Sequence, residues 1–336
     1  MPAASNPDRQ RRLLVFNCHE AWVYQLGCLG MPMDVVVGLK GRYKQTWDQQ
    51  MRPLPAEARL APLPAVLSCR EPYYCIIAHN ITDLLDVKTL QGPRLIVIHS
   101  TLDGRALEEG STVPPEKMKA ALHQYLDLVG GHAVSVSLLK GRSWGFTEDI
   151  VPFAADVDDY PPYSGHLAKG LRISNHIADR SRILMWPFHQ QAFEGLPVQL
   201  VGHNPKTPGI EAAANWDHLK GMLQSHRFYI HTADPRLEDG YNMATLEAMA
   251  AGMPVLGNRH PGSPIEHGVS GFLSDEASEL RSYALRLLED RDLAVRMGQK
   301  ARETLAARFP LSQFRQGFAR SIEIARGKWP GRKTSF

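Results

Sequence analysis

Five apolar, β-branched runs stand in the first half of the chain: LLVFN (13–17), DVVVGL (34–39), CIIAHN (75–80), LIVIHS (95–100) and AVSVSL (133–138). Polar or helix-like stretches separate several of them. Runs that are apolar throughout, with little alternation, suit strands buried on both faces, the condition of a parallel sheet covered by helices. The pattern predicts an α/β half with a largely parallel sheet. It breaks at IVPFAADVDDYPPYSGH (150–166), rich in Pro, Asp and Tyr, the composition of an interdomain connection. It resumes with LRIS (171–174), VQLVGHN (198–204), FYIHTA (228–233) and PVLGN (254–258). A chain of 336 residues, 43% of them hydrophobic, has material for two cores, so two doubly wound domains of similar size are expected.

Charge narrows the partners. The net charge is +3 and the bases are dispersed except at the two ends, which argues against a nucleic-acid surface. The opening MPAASNPDRQRR lacks the apolar stretch of a signal peptide, and no run approaches the roughly 20 apolar residues of a membrane span; a cytoplasmic protein is expected. The four cysteines, Cys18, Cys28, Cys69 and Cys75, show neither CxxC nor Cys/His zinc spacing, and reduced thiols without a metal are expected. Leu280, Tyr283, Ala284, Leu287 and Leu288 fall at the spacing of one buried helical stripe. Past Pro310, SQFRQGFARSIEIARGKW predicts a last amphipathic helix with a basic tail. Its Phe318, Ile322, Ile324 and Trp329 interleave with bases, which leaves two readings open: peripheral contact with an anionic bilayer, or a helix packed by its apolar face.

The segment EDGYNMATLEAMAAGMPVLGN (238–258) carries the chemistry. Between Met243 and Leu256 its one charged residue is Glu247. FYIHTA reads as a strand, ADPRLEDGY as a loop, NMATLEAMAA as a helix capped by Gly252, and PVLGN as the next strand, which makes a βαβ unit. Ligands of such sheets sit beyond the carboxyl ends of the strands, so loop 234–242 and the helix start are the expected site. The helix N-terminus at about Asn242 to Ala244 suits phosphate, and Gly240 lets backbone come close. A buried carboxylate needs donors. Ribose hydroxyls would serve; a buried salt bridge of Glu247 with Arg227 or Arg259 is the structural alternative.

D-G-Y-N-M-A-T-L-E followed by A-M-A-A-G-M-P-V resembles the acidic-x7-Glu motif of retaining, nucleotide-sugar-dependent glycosyltransferases of the GT-B fold, the group 1 or family 4 type. GSPIEHGVSGFLSDE and DLAVRMGQKARETLAARF resemble that family's next loop and terminal helices; residues 225–320 match well, 165–224 loosely and 13–160 mainly by strand order. The resemblance implies two Rossmann-like domains facing a cleft. Residues 1–160 would take the acceptor, 161–310 the donor, and 311–336 would form a crossing helix and basic tail. It gives Glu247 the donor ribose and Asp239, or its neighbour Glu238, the sugar hydroxyls. Tyr241, Asn242, Met243 and Ala244, with Gly240, would form the turn that meets the distal phosphate. The family's basic pair near "GR…K" is altered: Asn175 stands for the usual Arg in LRISNHIADRSR, so Arg180 or Arg182 would supply the phosphate charge. His99 resembles the histidine placed near the sugar's primary hydroxyl. NCHEAW (17–22) replaces the Gly-rich first loop, with His19 and Glu20 as acceptor-side candidates.

The implied reaction moves a hexosyl group from a UDP-, GDP- or ADP-sugar to a glycan, lipid-linked or small-molecule acceptor, with retention and without metal or cofactor, as in polysaccharide biosynthesis. A silent nucleotide-binding protein and a sugar-nucleotide epimerase on the same fold are the alternatives. Other motifs fail on their own residues. HEAWV has Val23 where an HExxH zinc site needs its second histidine. DVD (156–158) resembles the metal-binding DxD of the other glycosyltransferase fold but falls in the expected linker. No GxGxxG follows the first strand and no GxxxxGK[ST] occurs.

Overall fold

The first apolar run forms strand β1 (Leu13–Phe16), buried along its whole length. The computed structural model describes residues 12–39, 41 and 45–331. Residues 1–11 of the basic N-terminal stretch, and Arg332 and Lys333 of the basic tail, lie outside them. β1 pairs in parallel with β2 (Met33–Val37) and β4 (Cys75–Ala78). With β3 (Ala58–Pro62), β5 (Arg94–Ile98) and β6 (His132–Ser135) they form a six-stranded parallel sheet in the order β3-β2-β1-β4-β5-β6. Helices α1 (Glu20–Gln25), α2 (Leu63–Leu67), α3 (Ile81–Asp86), α4 (Leu102–Glu109), α5 (Pro115–Val129) and α6 (Leu138–Trp144) connect or follow these strands. Leu14, Phe16, Val36 and Ile76 pack in one core cluster, and Ile96, Ile98, Leu122 and Leu126 in another. β3, for which the sequence predicts no strand, is an edge strand whose ARLAP carries an arginine and a proline and stays partly exposed.

The second sheet is also parallel. It comprises β7 (Leu167–Ile173), β8 (Val198–Val201), β9 (His226–His231), β10 (Val255–Gly257) and β11 (Gly271–Leu273), in the order β11-β10-β9-β7-β8. Its helices are α7 (Trp186–Phe193), α8 (Trp216–Ser225), α9 (Met243–Ala251), α10 (Ala277–Glu289) and α11 (Arg291–Arg308). Leu280, Ala284 and Leu287 on α10 are fully buried with Tyr283 and Leu288 beside them, the stripe expected from spacing. Asp156 caps a short turn through Asp158 N–H at 3.0 Å, and Arg302 donates to the Val157 carbonyl at 2.9 Å, so the DVD stretch is part of a braced turn.

Chain contacts divide the molecule into unit 1 (residues 1–102, 111–152 and 312–336) and unit 2 (103–110 and 153–311). Helix α12 (Leu311–Lys328) thus belongs to unit 1. Phe314, Phe318, Ile322 and Ala325 are buried there, and the Phe318 ring meets the edge of Trp22 at 5.6 Å. Its bases are engaged as well: Arg320 lies 3.0 Å from Asp149, and the Arg326 guanidinium lies 3.5 Å over the Tyr74 ring. Phe318 and Ile322, two of the four apolar residues that interleave with bases, are therefore core residues of unit 1. Among the described residues no helix is long and apolar enough to cross a membrane.

Candidate functional site

In unit 2 the strand order reverses between β7 and β9, the place where open α/β sheets leave a crevice beyond their strand ends. The loop after β7 supplies Arg180 and the loop after β9 supplies Glu238. The two meet: Arg180 Nη2 lies 3.1 Å from Glu238 Oε2, while Arg180 Nε donates to Glu108 Oε1 at 2.6 Å. Arg180 is thus held over the switch point by two carboxylates. Arg182 is not brought to this cluster; it is exposed, and its charge acts on Asp234.

The loop 238–242 is fixed by its backbone. Glu238 Oε1 accepts from Asp239 N–H at 3.0 Å. The Glu238 carbonyl accepts from His260 Nε2 at 2.9 Å, and the Asp239 carbonyl from His231 Nε2 at 3.1 Å. His260 Nδ1 accepts from Gly262 N–H at 2.9 Å, which fixes its tautomer. Gly240 is required here because a Cβ would come 2.7 Å from both His260 Nδ1 and Ser263 N. Burial first of all lowers the His231 pKa to about 4, against the pull of its bond to Asp239, and it lowers that of His260 too. Both rings are neutral near neutrality, so the carboxylates of Glu238 and Asp239 are not cancelled by imidazolium.

Helix α9 starts at Asn242, whose side chain accepts from Thr245 N–H at 2.9 Å while Thr245 Oγ1 accepts from Asn242 N–H at 3.3 Å, a capping box. Met243 and Ala244 follow at the positive end of the helix dipole. Tyr241 is buried against Phe309, ring centres 5.1 Å apart. Asp239 and Glu247 are 3% and 5% exposed, so two carboxylates are buried within nine positions of each other. Arg227, one candidate partner for Glu247, donates to the carbonyls of Gly165, Leu287 and Leu288 and so caps α10. The other, Arg259, is exposed. Asn175 serves the fold: its Oδ1 accepts from His203 N–H at 2.8 Å.

Sequence reasoning missed Glu108, His231, His260 and Arg172. Arg172 is fully buried on β7, donates to Thr232 Oγ1 and the Leu184 carbonyl, each at 2.9 Å, and has its pKa lowered to about 10 by burial. No local pattern marks it; a lone arginine in LRIS looks like a strand-edge residue.

Unit 1 has its own reversal, between β1 and β4. Cys18 and His79 follow those two strands and His99 follows β5. His99 Nε2 lies 2.9 Å from His79 Nδ1, and Trp22 stands edge-on to both rings. His19 is exposed at the start of α1. Glu20 is buried and accepts from Asp48 N–H at 2.8 Å, so this acceptor-side candidate ties down a loop.

Residues 212–304 match the family model of the glycosyl transferases group 1. That region contains Glu238, Asp239, Gly240, the α9 cap and Glu247, whereas Arg180 and His99 precede it. Over 76 residues, 21% of the chain, the protein is 36% identical to N-acetyl-alpha-D-glucosaminyl L-malate synthase of Bacillus anthracis, and the match spans 20% of that relative's length. The fold resembles that of HepE from Anabaena, solved with UDP-glucose (TM-score 0.66, 15% identity, 93% of this chain and 99% of that one). It also resembles sucrose-phosphate synthase from Thermosynechococcus elongatus (TM-score 0.64, 12% identity, 93% and 98%). The matched region thus lies in a chain with the two Rossmann-like sheets of the GT-B fold.

Proposed function

We propose that the protein is a retaining glycosyltransferase that uses a UDP-, GDP- or ADP-sugar donor and needs no metal for transfer. The observation that carries this is the convergence at the unit 2 switch point: Arg180 paired with Glu238 at 3.1 Å, beside the capped start of α9, with Glu247 and Asp239 buried next to it. Unit 2 takes the donor and unit 1 the acceptor. Glu247 accepts from the ribose hydroxyls, and Asp239 or Glu238 accepts from the sugar ring. As the bond from the anomeric carbon to the diphosphate breaks, negative charge grows on the leaving phosphate. Arg180 and the N–H groups at the start of α9 stabilise it in place. Front-face attack, with the leaving phosphate accepting the acceptor's proton, then needs no protein nucleophile. HepE in complex with UDP-glucose supports a nucleotide-sugar donor, and the malate synthase relative a small acceptor. A cytoplasmic role in polysaccharide synthesis, with contact to a membrane through residues past the end of α12, belongs to the same reading.

Incubation with a panel of nucleotide sugars, with EDTA present, tests it. Slow release of nucleoside diphosphate and of the sugar with its anomeric configuration kept is the expected result. Release only after Mn²⁺ addition would overturn metal independence, and epimer formation would overturn transfer itself. Asn175, engaged with His203 where the family has Arg, favours one second reading, a silent nucleotide-binding protein. It predicts nucleotide binding with no turnover of any donor.

A further inference from the structure

We propose that Cys18, His79 and His99 form a binding site for one borderline-soft divalent cation of the Zn²⁺ type in unit 1. The three residues lie 61 and 20 positions apart in the chain, and the sheet brings them to its switch point, where Cys18 Sγ and one nitrogen of each ring all stand within 4.8 Å of one another. Three ligands of this kind around a zinc would be separated by about 3.3–3.6 Å, from Zn–N near 2.0–2.1 Å and Zn–S near 2.3 Å. The present spacings, from 2.9 Å between the two imidazoles up to that limit, bracket those values. Small side-chain shifts suffice.

The surroundings are those of a ligand set. His79 Nε2 donates to the Phe16 carbonyl at 3.1 Å, so its Nδ1 is the lone pair directed at the cluster. A backbone carbonyl on the far nitrogen is the usual second contact of a metal-bound histidine. Asp83, fully buried, accepts from His79 N–H at 2.9 Å. A dication facing one thiolate and the Asp83 carboxylate would leave the site electrically neutral, which a buried charge demands. Cys18 and His99 are only partly buried, which leaves an entry path. A thiolate with two imidazoles selects Zn²⁺ over Mg²⁺ or Ca²⁺ and leaves one position open to water. Binding sends the Cys18 proton to solvent. It also replaces the His99 Nε2–H···Nδ1 His79 hydrogen bond, with the His99 proton moving to Nδ1.

The test uses metal alone, so that its outcome does not depend on the transfer reading. The full-length, reduced protein is titrated with Co²⁺ and then Zn²⁺. Expected are one Co²⁺ per chain, a thiolate-to-cobalt charge-transfer band, tetrahedral visible bands, displacement by Zn²⁺, and one proton released per ion. Cys18→Ser should abolish the charge-transfer band, and His79→Ala or His99→Ala should weaken Co²⁺ binding by at least about tenfold. Cys28→Ser and Cys69→Ser should keep the band. X-ray absorption on the zinc-loaded wild-type chain, which no folding defect can confound, should show one sulfur and two imidazoles. Absence of the band in the wild type, its persistence in Cys18→Ser, or a sulfur-free zinc shell would overturn the proposal.

Discussion

At the scale of single residues, Glu247 stands out because nothing else on its helix is charged, yet 5% of its surface is exposed. If it holds the donor ribose, each charge-assisted hydrogen bond contributes about 1.5–3 kcal/mol. With two such bonds lost, Glu247→Ala should weaken nucleotide binding by at least about 100-fold, and Glu247→Gln by less. Calorimetry giving wild-type affinity in a folded Ala variant would remove the ribose role. If His99 also meets the sugar's primary hydroxyl, as the resemblance implies, metal binding there competes with transfer. Zn²⁺ at low concentration should slow transfer by the wild-type enzyme through His99 and lose that effect in Cys18→Ser; equal inhibition of both chains would separate the two. Glu247 was legible in the sequence because a single charge in an apolar stretch is conspicuous. The group Cys18, His79 and His99 was not, since its members share no spacing and only parallel strand order gathers them. Arg180 was visible as a candidate, but its partner Glu108 lies 72 residues away and carries no local mark.

Among the elements, the apolar runs that became β1, β2, β4 to β6, β9 and β10 were readable because a strand buried on both faces must be apolar at consecutive positions, while β7 and β8, partly exposed, showed only through short apolar-rich runs. β3 and β11 escaped for physical reasons. β3 lies on an edge, where solvent tolerates Arg59 and Pro62, and β11, on the edge of the other sheet, offers only Phe272 and Leu273 as apolar residues within a polar stretch. The packing of α9 on α11 had no sequence signal beyond small residues. It turns on Gly298, where an added Cβ would fall on the Gly252 carbonyl oxygen, with Pro254 Cδ 3.3 Å away. Backbone on a helix end cannot step aside cheaply. Gly298→Ala should cost about 1–3 kcal/mol, as overpacked sites do. The checking measurement is the urea midpoint of the full chain; a midpoint within error of wild type would mean that the two helices slide apart freely.

For the molecule as a whole, buried histidines set an acid limit, His189 and His231 among them. Burial, then the charge of Arg172, lowers the His189 pKa to about 2. Burial also lowers that of His231 to about 4, with Arg172 and His260 adding to it and the Asp239 carbonyl and Glu238 opposing. The unfolded chain takes up protons on both rings near the ordinary value of 6.5, whereas the native chain refuses them. Between about pH 6.5 and 4 the unfolded state therefore binds more protons, and stability must fall as the pH drops. Thermal melting across that interval should show a steadily falling midpoint. A flat profile would mean that both rings are solvated in the native state.

The placement of α12 in unit 1 has a consequence for synthesis. A ribosome delivers the six strands of the first sheet by residue 135, but the helix that covers Trp22 arrives only after residue 311. At roughly 5–20 residues per second, the nascent chain waits on the order of 10–30 s with that face open. Unit 2, residues 103–110 and 153–311, has all of its sequence in hand before α12 is made. The part of unit 1 that is made first is therefore the part that closes last, and a chain stalled or clipped before residue 311 would offer chaperones and proteases an uncovered Trp22 face.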